Sequence, residues 1–150
     1  MARQAWELAR NQHGVVSRDQ LVEVGYKRHA IDHRIRTGRL HRLHRGIYAV
    51  GRPNVTSHGR WMAAVLASGE GAVISHSSAA ALWRIGVEDP DLIELSLPSP
   101  FQHNRPGLRI HRRPSLRQSD TTAEFEIPVT TPVRTLIDLS LRLERHGVER

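Results

Sequence analysis

Seven cations fall within nineteen residues near the start of this chain: Lys27, Arg28, Arg34, Arg36, Arg39, Arg42 and Arg45, opposed only by Asp32. Guanidinium and ammonium groups at that density bind phosphate, and a one-signed cluster is the electrostatic footprint of a nucleic-acid-binding module. The distribution of charge agrees. Residues 1–52 carry 11 Lys/Arg against 4 Asp/Glu, whereas residues 53–150 carry 11 of each, so the net charge of +7 belongs to the first third. A basic surface that served only solubility would be spread along the chain.

Other chemistries find less support. His29/His33 and His41/His44 have ligand-like spacing, but a metal ion needs a further ligand and the surrounding arginines repel a divalent cation. These histidines are read as hydrogen-bonding to phosphate or solvent. Asp120, Glu124 and Glu126 suggest a nuclease carboxylate cluster. Such sites pair acids with a nearby lysine, and the sole lysine, Lys27, lies far off in the sequence. Glu126, alternating with Phe125 and Ile127, is read as the wet face of a half-buried strand. Ser75-His76-Ser77-Ser78 lacks the G-x-S-x-G frame of a nucleophile elbow and is read as a helix cap. Arg134 and Asp138, four residues apart, are read as an intrahelical ion pair. No phosphate-binding Walker loop, dinucleotide fingerprint or H-E-x-x-H occurs. Cysteine is absent, which excludes disulfides and thiolate metal sites and is compatible with a reducing cytosol. The expectation is a cytoplasmic, non-enzymatic protein with no catalytic residue, cofactor, metal or membrane segment.

The cations need elements to position them. Ala5, Trp6, Leu8 and Ala9 give helical spacing over Ala2–Asn11. Ser17 and Gln20 have the spacing of a capping box, which starts a second helix with Leu21, Val22 and Val24 as its buried face. Tyr26 to Thr37 reads as a third helix stopped by Gly38, with Ile31 and Ile35 inward and His29, His33 and Arg36 outward. Arg28 and Arg34 lie nearer the edges, where long stems reach toward phosphates. Leu40–Leu43 and Ile47–Val50 around Arg45-Gly46 read as a hairpin. Helix, short helix, basic helix, basic hairpin is the order of a winged helix-turn-helix. Its third helix is expected in a major groove and its hairpin along the backbone or minor groove. The DNA-binding set is therefore Lys27, Arg28, His29, His33, Arg36, Arg39, Arg42, His44 and Arg45. Arg36 and His33 are the candidates for base edges; Lys27, Arg39, Arg42 and Arg45 are the phosphate contacts.

Gly51-Arg52-Pro53-Asn54 reads as a linker, dividing a winged helix over 1–52 from a small α/β domain over 57–150. In the second part a helix capped by Ser57 runs through Ser68, a short strand covers Ala72–Ser75, and a helix covers His76–Ile85. Three alternating runs, Leu92–Leu97, Leu108–His111 and Phe125–Val129, look like strands of one sheet. Their outward face is expected to carry Glu94, Arg109, His111 and Glu126, mixed in sign and suited to a protein partner. Pro98–Gly107 and Pro114–Asp120 read as loops. Thr131 and Pro132 begin a last helix with Val133, Leu136, Ile137 and Leu141 as its buried stripe. The fold class is α+β: a winged helix followed by a sheet core flanked by helices.

Three stretches taken together resemble the AbiEi family, the antitoxins of type IV toxin–antitoxin systems. They are Gly14 to Gly51, with its Gly38-Arg39-Leu40 and Arg45-Gly46-Ile47-Tyr48-Ala49 ending; Ser75-His76-Ser77-Ser78-Ala79-Ala80; and Thr131-Pro132-Val133-Arg134-Thr135-Leu136-Ile137-Asp138. The resemblance implies a winged helix that binds double-stranded operator DNA and represses its own operon. It also implies a following domain that counteracts a nucleotidyltransferase-type toxin. Relatives of this layout often run to about twice this length, some ending in an endonuclease-like domain, so the chain is expected to be either a shortened member or a fragment. Two alternatives stand beside this reading: a nonspecific nucleic-acid binder, and the front part of a nuclease whose catalytic domain is absent here.

Overall fold

The computed structural model describes residues 1–98 and 105–148, so most of the loop expected over Pro98–Gly107 lies outside the described residues. The chain divides into two compact units, Met1–Gly69 and Glu70–Arg150. No helix among the described residues is long and apolar enough to cross a membrane.

The first unit runs α1 (Ala2–Asn11), β1 (Val15–Ser17), α2 (Arg18–Glu23), α3 (Arg28–Arg36), β2 (Leu40–His44), β3 (Ile47–Val50) and α4 (Ser57–Ser68). Its first three helices and the β2–β3 hairpin follow the winged helix-turn-helix order. The three-residue run Val15–Ser17 also forms a strand, and the sheet is antiparallel in the order β1-β3-β2. Val15 and Val16 are wholly buried. One core joins Ala9, Val16, Leu21, Tyr26, Ile31, Leu40 and Tyr48. The capping box forms as the sequence implies: Ser17 Oγ accepts from Gln20 N–H at 3.1 Å, and the Gln20 side chain accepts from Ser17 N–H at 2.9 Å. Val22, expected inside, is exposed; α2 has only six residues, and Leu21 is the one it buries.

At the end of α3, Gly38 has φ +74°, Gly38 N–H bonds Ile35 O and Arg39 N–H bonds Arg34 O, the paired closure of a Schellman motif. Thr56, not Ser57, caps α4, its Oγ1 accepting from Gly59 N–H at 3.1 Å. The sequence grouped α4 with the residues that follow it, yet α4 packs on β1, β2 and β3. A Pro/Gly-containing linker punctuates the chain without requiring a domain boundary. The approach is close: a Cβ at Gly59 would lie 3.1 Å from His13 O.

The second unit contains β4 (Val73–Ile74), α5 (His76–Leu82), β5 (Ile93–Leu97), β6 (Leu108–Arg112), a 3-10 turn at Gln118–Asp120, β7 (Thr121–Glu124), β8 (Ile127–Thr130) and α6 (Pro132–Val148). Its five-stranded mixed sheet has the order β6-β5-β4-β8-β7. Strands β5/β6 and β4/β8 are parallel, and β4/β5 and β7/β8 antiparallel. Helix α5 packs on β5 and β8, and α6 packs on α5.

Four expectations fail here for physical reasons. Helix α5 stops at Leu82 rather than Ile85, and Arg84 adopts φ +62° beyond it. Phe125 and Glu126 are not strand residues: both have positive φ and form the two-residue turn joining β7 to β8, leaving Phe125 half exposed. Strand β5 is buried on both faces, so Glu94 and Ser96 are interior, not wet. The expected mixed-sign outer face therefore does not exist as drawn. Lastly, Val133, Leu136, Ile137 and Leu141 of α6 are exposed, while Thr135 and Asp138 are buried. Polar bonds dock this helix, among them Thr130 Oγ1 to Thr135 Oγ1 at 2.7 Å.

Candidate nucleic-acid interface

Helix α3 turns its apolar side to the core through Ile31, which is fully buried. Arg28, His29, His33 and Arg36 then occupy the solvent side at helical spacing, and all four are exposed. Lys27 stands exposed at the N-cap. The only acid on this helix, Asp32, is bound by Arg18 of α2, Nη2 to Oδ1 at 2.9 Å. Arg18 Nη1 also donates to Tyr48 Oη at 3.2 Å. The hydrogen bonds to Tyr48 and then Asp32 raise the Arg18 pKa above its ordinary value. Arg18 thereby ties α2, α3 and β3 together and neutralises the one negative charge beside the basic face. Both partners are partly solvated, so the pair contributes only about 0–1 kcal/mol to stability.

The hairpin continues the positive surface. Arg39 follows the Gly38 turn and is exposed; Arg42, opposite Tyr48, and Arg45, in the β2–β3 turn, are exposed as well. Gly46, at φ +73°, permits the tight reversal beside Arg45. The ladder shifts register between Arg42 and His44, a bulge that re-aims the strand at its tip. His44 is half-buried, unlike the other eight members of the set. Five of the nine thus lie at or on α3 and four on the following turn and hairpin. Arg34 does not reach outward as expected: its guanidinium lies over the Tyr26 ring, 4.6 Å from the centroid, and Nη1 donates to Ala30 O.

The second unit holds a polar cluster that the sequence did not reveal. Glu94 on β5 has its side chain 3 % exposed. Arg142 of α6 donates to both its oxygens, at 3.0 and 2.7 Å, and His111 Nε2 lies 3.2 Å from Oε2. A carboxylate only accepts, so the proton of that bond sits on His111 Nε2. Burial alone would raise the Glu94 pKa; the bonds from His111 and Arg142 outweigh it and bring the group to about 2. Asp138 of α6 is similarly buried and takes Arg113 at 2.7 Å and Arg134 at 2.8 Å. Its pKa is also lowered, burial being outweighed by those two arginines. The Arg134–Asp138 pair is therefore intrahelical, as read, and also part of a larger network.

His76, with φ +53° at the start of α5, stacks on His111 at a 4.0 Å centroid distance. Ser96 Oγ donates to Ser75 Oγ at 2.8 Å, and Ser75 Oγ in turn hydrogen-bonds His76 Nδ1 at 2.9 Å. Ser75 is at the N-cap of α5 but its hydroxyl makes no capping bond; it serves this relay instead. Burial, and then the neighbouring His111, push the His76 pKa down to about 4. Donor atoms of His76, Glu94 and His111 lie within 4.8 Å of one another, a spacing a metal could use. Both oxygens of Glu94 are already bonded to Arg142, Arg109 lies 3.6 Å from it, and Ser75 holds His76 Nδ1. That environment disfavours a divalent cation. Glu94 within an apolar run and Arg142 forty-eight residues away were the only signals, and neither names the other.

Residues 3–51 match a family model described as transcriptional regulator, AbiEi antitoxin. The match covers α1 through β3, the segment that carries every member of the candidate set. No curated protein matches the chain.

Proposed function

We propose that this chain, whose first third is an AbiEi antitoxin-type transcriptional-regulator domain, binds operator DNA in the cytoplasm, represses its own operon and counteracts a nucleotidyltransferase-type toxin, without catalysing a reaction. The observation that supports it best is the exposed basic series of Lys27, Arg28, His29, His33, Arg36, Arg39, Arg42 and Arg45 on α3 and the hairpin, with Asp32 neutralised by Arg18. Helix α3 serves the major groove and the hairpin the flanking backbone. Neutralising roughly 5–7 phosphates gives a salt slope near −0.9 per contact. The toxin-directed half rests on the family resemblance; the exposed apolar stripe of α6 is compatible with a protein partner for the second unit.

The test uses the full chain with Arg36, Arg42 and Arg45 replaced together by alanine. Repression of a reporter behind the native promoter fails while protection of toxin-bearing cells persists. Loss of both activities in a variant that still folds contradicts the division of labour. Cleavage of plasmid DNA by the purified chain with magnesium would contradict the non-catalytic reading.

A further inference from the structure

The second unit, Glu70–Arg150, carries 11 acids and 10 arginines by sequence, and two of those acids are buried in the structure. Glu94 and Asp138 lie underneath, each with its side chain 3 % exposed. The groups that hold them are nearer the surface: Arg113, Arg134 and Arg142 have side chains 19, 22 and 28 % exposed. Above them opens a cavity of about 740 Å³ between the end of β6 and α6. Five arginines line it, Arg112, Arg113, Arg134, Arg142 and Arg145, against a single lining carboxylate, Asp138. His76, His111 and His146 complete the polar wall. Ile110 and Leu141 supply an apolar portion.

From this stratification we propose that the second unit binds a phosphate-bearing small molecule in the β6–α6 cavity. The buried carboxylates fix the guanidinium planes of Arg113, Arg134 and Arg142, so little side-chain freedom is lost on binding. Arg113 uses only Nη1 on Asp138, and Arg134 only Nε and Nη2, leaving further N–H donors for a ligand. Arg112 and Arg145 form no ion pair with the described residues and add positive charge to the wall. Forked N–H donors on several arginines suit the oxygens of a phosphate, which arginine recognises through paired hydrogen bonds. The volume falls within the range of small-ligand sites, so the apolar portion has room for the organic part of a phosphate ester.

The experiment follows histidine ring signals by NMR in the full chain carrying Arg36→Ala, Arg42→Ala and Arg45→Ala, which silences the N-terminal cluster. Inorganic phosphate and AMP are titrated separately. Both are expected to shift the His76 and His111 signals saturably and to raise the pH at which His76 titrates. Tighter AMP binding places its organic part against Ile110 and Leu141; equal affinity assigns a phosphate subsite alone. Adding Arg112→Ala and Arg145→Ala, which break no ion pair with the described residues, weakens either ligand at least about tenfold. Unmoved histidine signals, or undiminished affinity in that variant, overturn the proposal. So does saturable zinc binding that is abolished by His111→Ala, and so does a response to duplex DNA alone.

Discussion

Arg142 of α6 grips Glu94 of β5 through both terminal guanidinium nitrogens, Nη1 and Nη2, at 3.0 and 2.7 Å, across forty-eight residues of sequence. This pair pins α6 to β5, an inner strand of the sheet. Removing one partner leaves a buried charge uncompensated, which costs about 3–5 kcal/mol. Glu94→Leu and Arg142→Met are each expected to destabilise by that order, and the double variant by clearly less than their sum. Urea unfolding of the full chain completes the cycle. Additive losses would show that the two charges do not depend on each other.

The same cluster makes stability fall in acid by two steps. The His76 pKa is lowered from the ordinary 6.5 to about 4, and His76 faces His111, Glu94, Asp138 and Arg142. A depressed pKa stabilises the fold fully above 6.5, and that contribution disappears as pH drops through 4. Glu94, lowered from 4.5 to about 2, loses its contribution over that lower window. The first step amounts to at most about 3 kcal/mol. His76→Gln is expected to flatten the upper step and leave the lower one. Melting temperature against pH in both proteins checks this; an unchanged upper step assigns it elsewhere.

Asp32 holds the one negative charge on α3, and Arg18 holds Asp32. Asp32→Asn removes that charge and frees Arg18 at the edge of the basic face. Because the pair is largely solvated, folding stability changes by about 1 kcal/mol or less. Affinity for random duplex DNA rises severalfold at low salt, and the gain shrinks as salt screens it. Fluorescence anisotropy at two salt concentrations measures both effects. Weaker binding would mean that Asp32 positions the helix rather than merely opposing phosphate.

The first unit was legible because its signals are local. The Ser17/Gln20 box, the Gly38 stop and the Gly46 turn each act within a few residues, and charge needs no partner to be counted. The strand at Val15–Ser17 was missed because three residues carry no period. In the second unit the deciding interactions are distant. The alternation of Leu92–Leu97 implied a wet face at Glu94, and only Arg142 and His111, from other elements, make that carboxylate tolerable inside. The apolar stripe of α6 has the period of a buried face, but Thr135 and Asp138 find bonding partners inward and turn that stripe to solvent. Phe125-Glu126 has the alternation of a strand, and its turn conformation comes from pairing of β7 with β8.

Within the candidate interface, position on the fold separates holding from reading. Arg42 and Arg45 stand on the hairpin, which in the proposed complex lies along the phosphate backbone; Arg36 stands on the solvent side of α3, the helix proposed to enter the groove. Arg42→Ala and Arg45→Ala are therefore expected to weaken binding to every sequence and to lower the salt slope by about 1 each. Arg36→Ala is expected to erode preference for the operator, by about 1–3 kcal/mol at one base if the contact is bidentate. All three side chains are exposed, so none of these changes should unfold the winged helix. Salt titrations of each variant on operator and random duplexes distinguish the roles. A loss for Arg36→Ala that is equal on both DNAs would move Arg36 into the phosphate-binding class, and base selection would then have to come from His33 or from the shape of the DNA.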